Sequence, residues 1–228
     1  MPALLMIGVL VVTLAVTNHQ KRTNNGPRQD PNFLDLTAYE SAEDRPPRTG
    51  GGLASSVGGA DSLKSAPLKI TLQALDKRNY HFGDQVTYEV TLENITTSVL
   101  TIPWSPDPSK VGLDGPVNPP VYFEASLSLV AEDETAGPQF IDSHRIFGAP
   151  SVPGSLKIVR PREKVRIRAA GSWQFTDSSV ARRVLAKSPF TVKVRANFRL
   201  GGGSSIQQYK TAISSNSQTA VLRKPDDN

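Results

Sequence analysis

From residue 68 onward the apolar side chains recur at every second position, and no stretch longer than ten residues carries a convincing helical period. Alternation of this kind turns one face of an extended chain toward a core and the other toward water, so it selects half-buried strands. In residues 68–75, LKITLQAL, Leu68, Ile70 and Leu72 alternate with Lys69, Thr71 and Gln73. In residues 85–94, Val86, Tyr88, Val90 and Leu92 share one face and Thr87, Glu89, Thr91 and Glu93 the other. The clearest case is residues 190–200, with Val192, Val194, Ala196, Phe198 and Leu200 set against Lys193, Arg195, Asn197 and Arg199.

Further strands are expected at residues 99–104, where Pro103 marks an edge or an end, and at 121–131, 155–159 and 164–169. A Gly-rich turn at 201–204 points to a hairpin leading into 206–214, and residues 218–223 supply a closing strand. Residues 178–186 could form at most a short turn of helix. Eight or nine short strands at regular spacing predict an antiparallel β-sandwich over residues 67–225. The chain has 228 residues and no cysteine, which excludes disulfides, thiolate metal sites and a cysteine nucleophile. A fold without staples must rely on its core, and roughly 160 residues suffice for one.

The run Tyr80-x-Phe82-Gly83-Asp84-Gln85-Val86, followed by an alternating strand ending Leu92-Glu93-Asn94, resembles the second strand of many bacterial immunoglobulin-like domains. Ile158-Val159-x-Pro161-x-Glu163-x-Val165, then Trp173, then Ser188-Pro189-Phe190, is similar to the intracellular proteinase inhibitor-like family. Arg162 stands where that family carries a turn glycine, and the glycine before Phe190 is missing. The resemblance covers residues 68–200 and implies an immunoglobulin-like sandwich; its motifs mark sandwich corners and say little about inhibition.

The N-terminal part is of another kind. Residues 1–20 contain no charged side chain, and residues 3–17 read ALLMIGVLVVTLAVT. As a helix, such a run spans roughly 22 Å against a hydrocarbon core of about 30 Å. That length suits a signal peptide, although no basic residue precedes the run and the small-x-small cleavage pattern is only approximate. Export of the domain to the periplasm or cell surface is expected; a membrane anchor is the alternative, for which Lys21 and Arg22 on the C-terminal side give a weak bias toward a cytoplasmic-facing domain. Residues 21–66, rich in Gly, Pro, Ser and Asn, are expected to form a disordered linker. Within them Phe33, Leu36 and Tyr39 recur every three residues, either a short docking helix or a sticky island in a flexible tether.

The net charge of +5 hides an asymmetry: residues 67–155 carry eleven acidic and five basic side chains, residues 156–228 four acidic and fifteen basic. Lys164, Arg166 and Arg168 share one strand face, as do Lys193, Arg195 and Arg199. Arg166, Arg168, Lys193, Arg195 and Arg199 are thus the candidate contacts for an anionic partner. The two stripes would lie on different sheets and lack aromatics to stack bases, so nucleic acid is not the expected partner. The bland alternative is that acidic and basic strands lie side by side and compensate.

No catalytic constellation emerges. His81 and His144 read as loop histidines, and no nucleophile elbow or phosphate-binding glycine loop exists. Glu132, Asp133 and Glu134, with Asp142 nearby, lack the alternating spacing of a calcium loop and read as a solvated acidic turn, so neither a metal nor a cofactor is expected. Asn94-Ile95-Thr96 is a glycosylation sequon. The Pro/Gly-rich loops at 105–120 and 146–154 remain. Beside them Trp104, Phe147 and Trp173 would either plug the sandwich or form a partner-binding patch. The sequence therefore points to a non-enzymatic binding or accessory module of a bacterial envelope. Its partner would be another protein or an envelope component, and its seat at or beyond a membrane. A protease-inhibitor-like or polyanion-binding domain is the alternative.

Overall fold

In the computed structural model, which describes residues 30–39, 67–111, 123–133, 137–173, 186–200 and 211–225, the alternating segments become strands and the protein is all-β. In chain order these are β1 (Phe33–Asp35), β2 (Leu68–Leu75), β3 (Asn79–His81), β4 (Gln85–Asn94), β5 (Leu100–Pro103) and β6 (Phe123–Asp133). They continue as β7 (Gly137–Gly148), β8 (Leu156–Val159), β9 (Lys164–Ser172), β10 (Phe190–Leu200), β11 (Thr211–Ser214) and β12 (Gln218–Arg223). A 3-10 turn, Pro108–Val111, follows β5. Asp107 caps it, accepting from the Ser109 amide at 3.0 Å and hydroxyl at 2.6 Å.

One sheet has the order β1-β9-β4-β2 and the other β3-β12-β10-β6-β7, with β11 also on β10; β5 and β8 form a separate ribbon. The inward residues of both sheets meet in one apolar core, with Val86, Tyr88, Val90 and Leu92 from β4 and Val192, Val194, Ala196 and Phe198 from β10. These are the sides that the alternation assigned inward. Side chains such as Leu92 and Leu127 are wholly buried, each worth about 2 kcal/mol relative to exposure. β7 packs on β9 at Gly171, where an added Cβ would lie 2.4 Å from the Asp142 Cβ, so only glycine allows that approach.

Four expectations are corrected. The island at residues 32–39 is neither a helix nor part of a free tether: β1 pairs in parallel with β9, Phe33 beside Arg166 and Asp35 beside Arg168. Arg166 N donates to Asn32 O at 2.7 Å and Leu36 N to Arg168 O at 2.8 Å, burying Leu34 and Leu36. A helix this short is marginal in water, whereas the open edge of β9 offers ready backbone partners. The compact unit accordingly begins at Pro31 instead of residue 67. Second, β3 pairs in parallel with β12, so the pairing is not purely antiparallel.

Third, β7 runs through the segment around His144, so Phe147 and His144 lie on a strand and not in loops. Fourth, Glu132 and Asp133 belong to β6 and Asp142 to β7, which replaces the expected acidic turn by paired strands. The leader at residues 3–17, the glycine turn at 201–204 and, but for Ala186, the helical turn at 178–186 lie outside the described residues. Among the described residues no helix is long and apolar enough to cross a membrane.

Candidate functional site

The polar chemistry of the interior gathers on three neighbouring strands. Tyr88 from β4 and Asp142 and His144 from β7 all point inward, and each is at most 2% exposed. Tyr88 Oη donates to Asp142 Oδ2 at 2.7 Å, and His144 Nε2 lies 2.9 Å from the same oxygen. His144 Nε2 is also 3.0 Å from the Ala170 carbonyl of β9. Two acceptors facing one ring nitrogen require that nitrogen to carry the hydrogen. Burial pushes the Tyr88 phenol well above its ordinary value, and the adjacent Asp142 charge raises it further. Asp142 Oδ1 is buried without a hydrogen-bond partner among the described residues.

Sealed in this way, the network cannot admit a substrate. What it does is join β4, β7 and β9, one strand of which belongs to the opposite sheet. Sequence reasoning passed over it, yet parity held the signal: Asp142, His144 and Ile146 fall on one face of a strand and all three are buried.

The aromatic residues expected at strand ends divide. Trp173 is wholly buried against Tyr80, with ring centroids 5.2 Å apart. Tyr80 is pinned in turn: its Oη donates to Asp76 Oδ1 or Lys77 O, each at 2.9 Å, and accepts from Lys77 N at 3.0 Å. Burial pushes the Tyr80 phenol far up as well. Phe147 is buried with Ala149 and Val152 in a small second cluster. Its backbone is bridged to Ser105, with Phe147 N donating to Ser105 O at 2.6 Å and Ser105 N to Phe147 O at 2.9 Å. Of the two alternatives, plug or partner-binding patch, Phe147 and Trp173 both take the first: each side chain is interior. Trp104, half-buried, packs on the main core.

The basic stripes stand on different sheets, and acidic neighbours answer most of them. Arg166 Nη1 lies 3.4 Å from Glu89 Oε1, and Lys164 Nζ 3.7 Å from Glu93 Oε2, both across the β9–β4 ladder. Arg195 Nη2 lies 2.7 Å from Glu132 Oε1 across β10–β6. Arg168 faces Asp35, and the Arg166 guanidinium sits 5.2 Å from the Phe33 ring. Lys193 and Arg199 are exposed on β10. Acidic and basic strands thus compensate in place. Asn94 is buried and its Nδ2 donates to Ser98 O at 2.8 Å and Val159 O at 2.9 Å, so the sequon offers no free amide for a glycan.

What the surface does present is an open sheet edge. β2 ends its sheet, and beside it a groove of about 450 Å³ runs between Leu68, Ile70 and Ile95 on one wall and Ile213, Ser214 and Ser215 on the other. Sequence reasoning identified β2 as a strand but had no means to place it at an edge.

No protein-family model and no curated protein matches the chain. Among solved structures, the fold is similar to a sporulation control protein of Bacillus subtilis, at 13% identity and a TM-score of 0.36, over 71% of this chain and 51% of that one. It is also similar to the Pseudomonas fluorescens alkylpurine DNA glycosylase bound to DNA containing an abasic site analog (10% identity, TM-score 0.32, 70% and 31% covered). A third similarity is to a Listeria innocua β-glucosidase in complex with glucose (10% identity, TM-score 0.33, 68% and 16% covered). The chain spans about half the length of the first of these and less than a third of the other two. With every TM-score below 0.5, the likenesses carry no argument about what the chain does.

Proposed function

We propose that the chain is a non-enzymatic binding or accessory module of a bacterial envelope, an immunoglobulin-like sandwich carried to or across a membrane by residues 1–20. The observation that carries the binding reading is the distribution of polar groups. Among the described residues the interior histidine–carboxylate pair is sealed, while the open edge of β2 and its groove face outward. Sheets that share one core, joined at the Tyr80 and Trp173 corner, support the immunoglobulin-like reading; the parallel pairings of β1 and β3 are additions to that plan. The apolar leader supports the location.

Fractionation of bacterial cells making the full chain with a C-terminal tag tests this. The chain is expected in the membrane or periplasmic fraction, and recovery from the cytosol alone would overturn the envelope reading.

A further inference from the structure

We infer that the open edge of β2 is a strand-addition site for an extended, acidic segment of a partner protein; this rests on the binding-module reading and gives it a place and a ligand class. Ile95 N donates to Pro67 O at 3.2 Å, which fixes the parity of the β2–β4 ladder. Odd-numbered residues of β2 up to Thr71 bond to β4, and Leu68, Ile70 and Leu72 turn their N–H and C=O groups outward.

At Leu72 these groups are already answered from outside the sheet. The Leu72 amide donates to Asn216 Oδ1 at 2.9 Å, and Asn216 Nδ2 donates to Leu72 O at 3.2 Å. A side-chain amide thus occupies the place of a peptide group from an added strand. At Leu68 and Ile70 the outward groups meet no partner among the described residues, and there the groove opens. Unpaired edge groups of this kind template an incoming strand.

The opposite edge of the same sheet shows what such an occupant looks like. There β1, only three residues long and drawn from a distant part of the chain, sends Leu34 inward and sets Asp35 beside Arg168 on the outer face. On β2 the corresponding outward cation is Lys69, which is exposed and has no ion pair among the described residues. Glu93, opposite it in the ladder, is engaged by Lys164. An occupant with alternating apolar and acidic residues satisfies both walls. The β2 edge of a second copy does not, because the side chains on its outer face, Lys69, Thr71 and Gln73, include no carboxylate to answer Lys69.

The test uses the full chain in detergent with three eight-residue peptides: alternating leucine and aspartate, alternating leucine and lysine, and the aspartate peptide with proline at its centre. Hydrogen exchange read at single amides is expected to slow at Leu68 and Ile70 with the aspartate peptide. Affinity should fall at least about fivefold with the proline peptide, which lacks one backbone donor. Lys69→Glu, a surface change that leaves the core intact, should shift preference toward the lysine peptide by about fivefold. Unchanged exchange at Leu68 and Ile70, equal affinity for the proline peptide, or a Lys69→Glu chain with unaltered preference would each overturn the site. A chain found in the envelope without this protection removes the site alone; a cytosolic chain that binds the aspartate peptide removes the envelope reading alone.

Discussion

Asp142 and Glu89 are both carboxylates set beside a basic side chain, one wholly inside the molecule and the other on its surface. Asp142 reaches His144 at 2.9 Å and Tyr88 at 2.7 Å with no solvent exposure. Glu89 reaches Arg166 at 3.4 Å with about a third of its side chain open to water. In the interior each hydrogen bond must offset a large desolvation cost, so removing one partner strands the others. At the surface water takes the place of the lost partner, and the pair contributes little. The buried network therefore governs stability through its completeness, whereas the surface ladder mainly settles which strands can lie side by side.

Mutations separate the two regions, beginning with the largest expected effect. His144→Ala removes the base beside Asp142 and should lower the unfolding free energy by about 3–5 kcal/mol, read from urea titration. Tyr88→Phe keeps the ring and deletes one donor, for a loss of about 2 kcal/mol; a loss below that of the surface change described next would dissolve the contrast. Arg166→Gln, on the outer face, should cost less than about 1 kcal/mol and become neutral at high salt.

Backbone strain gives a change of the opposite sign. Arg162 adopts φ 64°, a left-handed conformation in the turn that closes with Arg162 N donating to Asn94 O at 2.9 Å. Arg162→Gly should stabilise the protein by about 0.5–1 kcal/mol, measured as a higher denaturation midpoint.

The smallest effects appear only in the pH dependence, and here two glutamates, Glu163 at the surface and the largely buried Glu124, oppose each other. The Arg160 amide donates to Glu163 Oε2 at 2.8 Å and holds the Glu163 carboxyl below its ordinary value of 4.5. Its contribution to stability is present above that value and is lost as pH falls through the lower folded value. Burial raises the Glu124 carboxyl, with the Arg145 guanidinium pulling the other way, so its contribution is present at low pH and is lost as pH rises through the folded value. Urea midpoints from pH 3 to 7 should therefore show Glu163→Gln flattening the acid limb and Glu124→Gln flattening the fall on its rising side. Identical profiles would show that neither environment perturbs its carboxyl.

Legibility in the sequence followed the clarity of alternation. β2, β4, β9, β10 and β12 stand where the period of two put them, because each has one face on the core and one in water. β6 kept its period only as far as the register shift between Leu129 and Val130, after which Val130 and Ala131 are both buried. β7 was hidden because its inward face carries Asp142 and His144, residues that alternation scores as outward. β1 was hidden for another reason: three residues carry no period, and their conformation is imposed by the edge they meet. Of the candidate site, Leu68, Ile70 and Lys69 were visible as strand residues, but the outward amides of Leu68 and Ile70 were not.

The sequence by itself determined that this is an all-β chain without disulfides, and which side chains its main strands turn inward. That the turn after Pro161 places Arg162 in a left-handed conformation came from the structure alone. Only the tertiary structure decided that β2 lies at an open edge, that Asn216 stands in for a strand at Leu72, and that Asp142 and His144 are interior. Alternation is a local property of each strand, whereas edges, buried polar partners and grooves arise where segments distant in the chain come together.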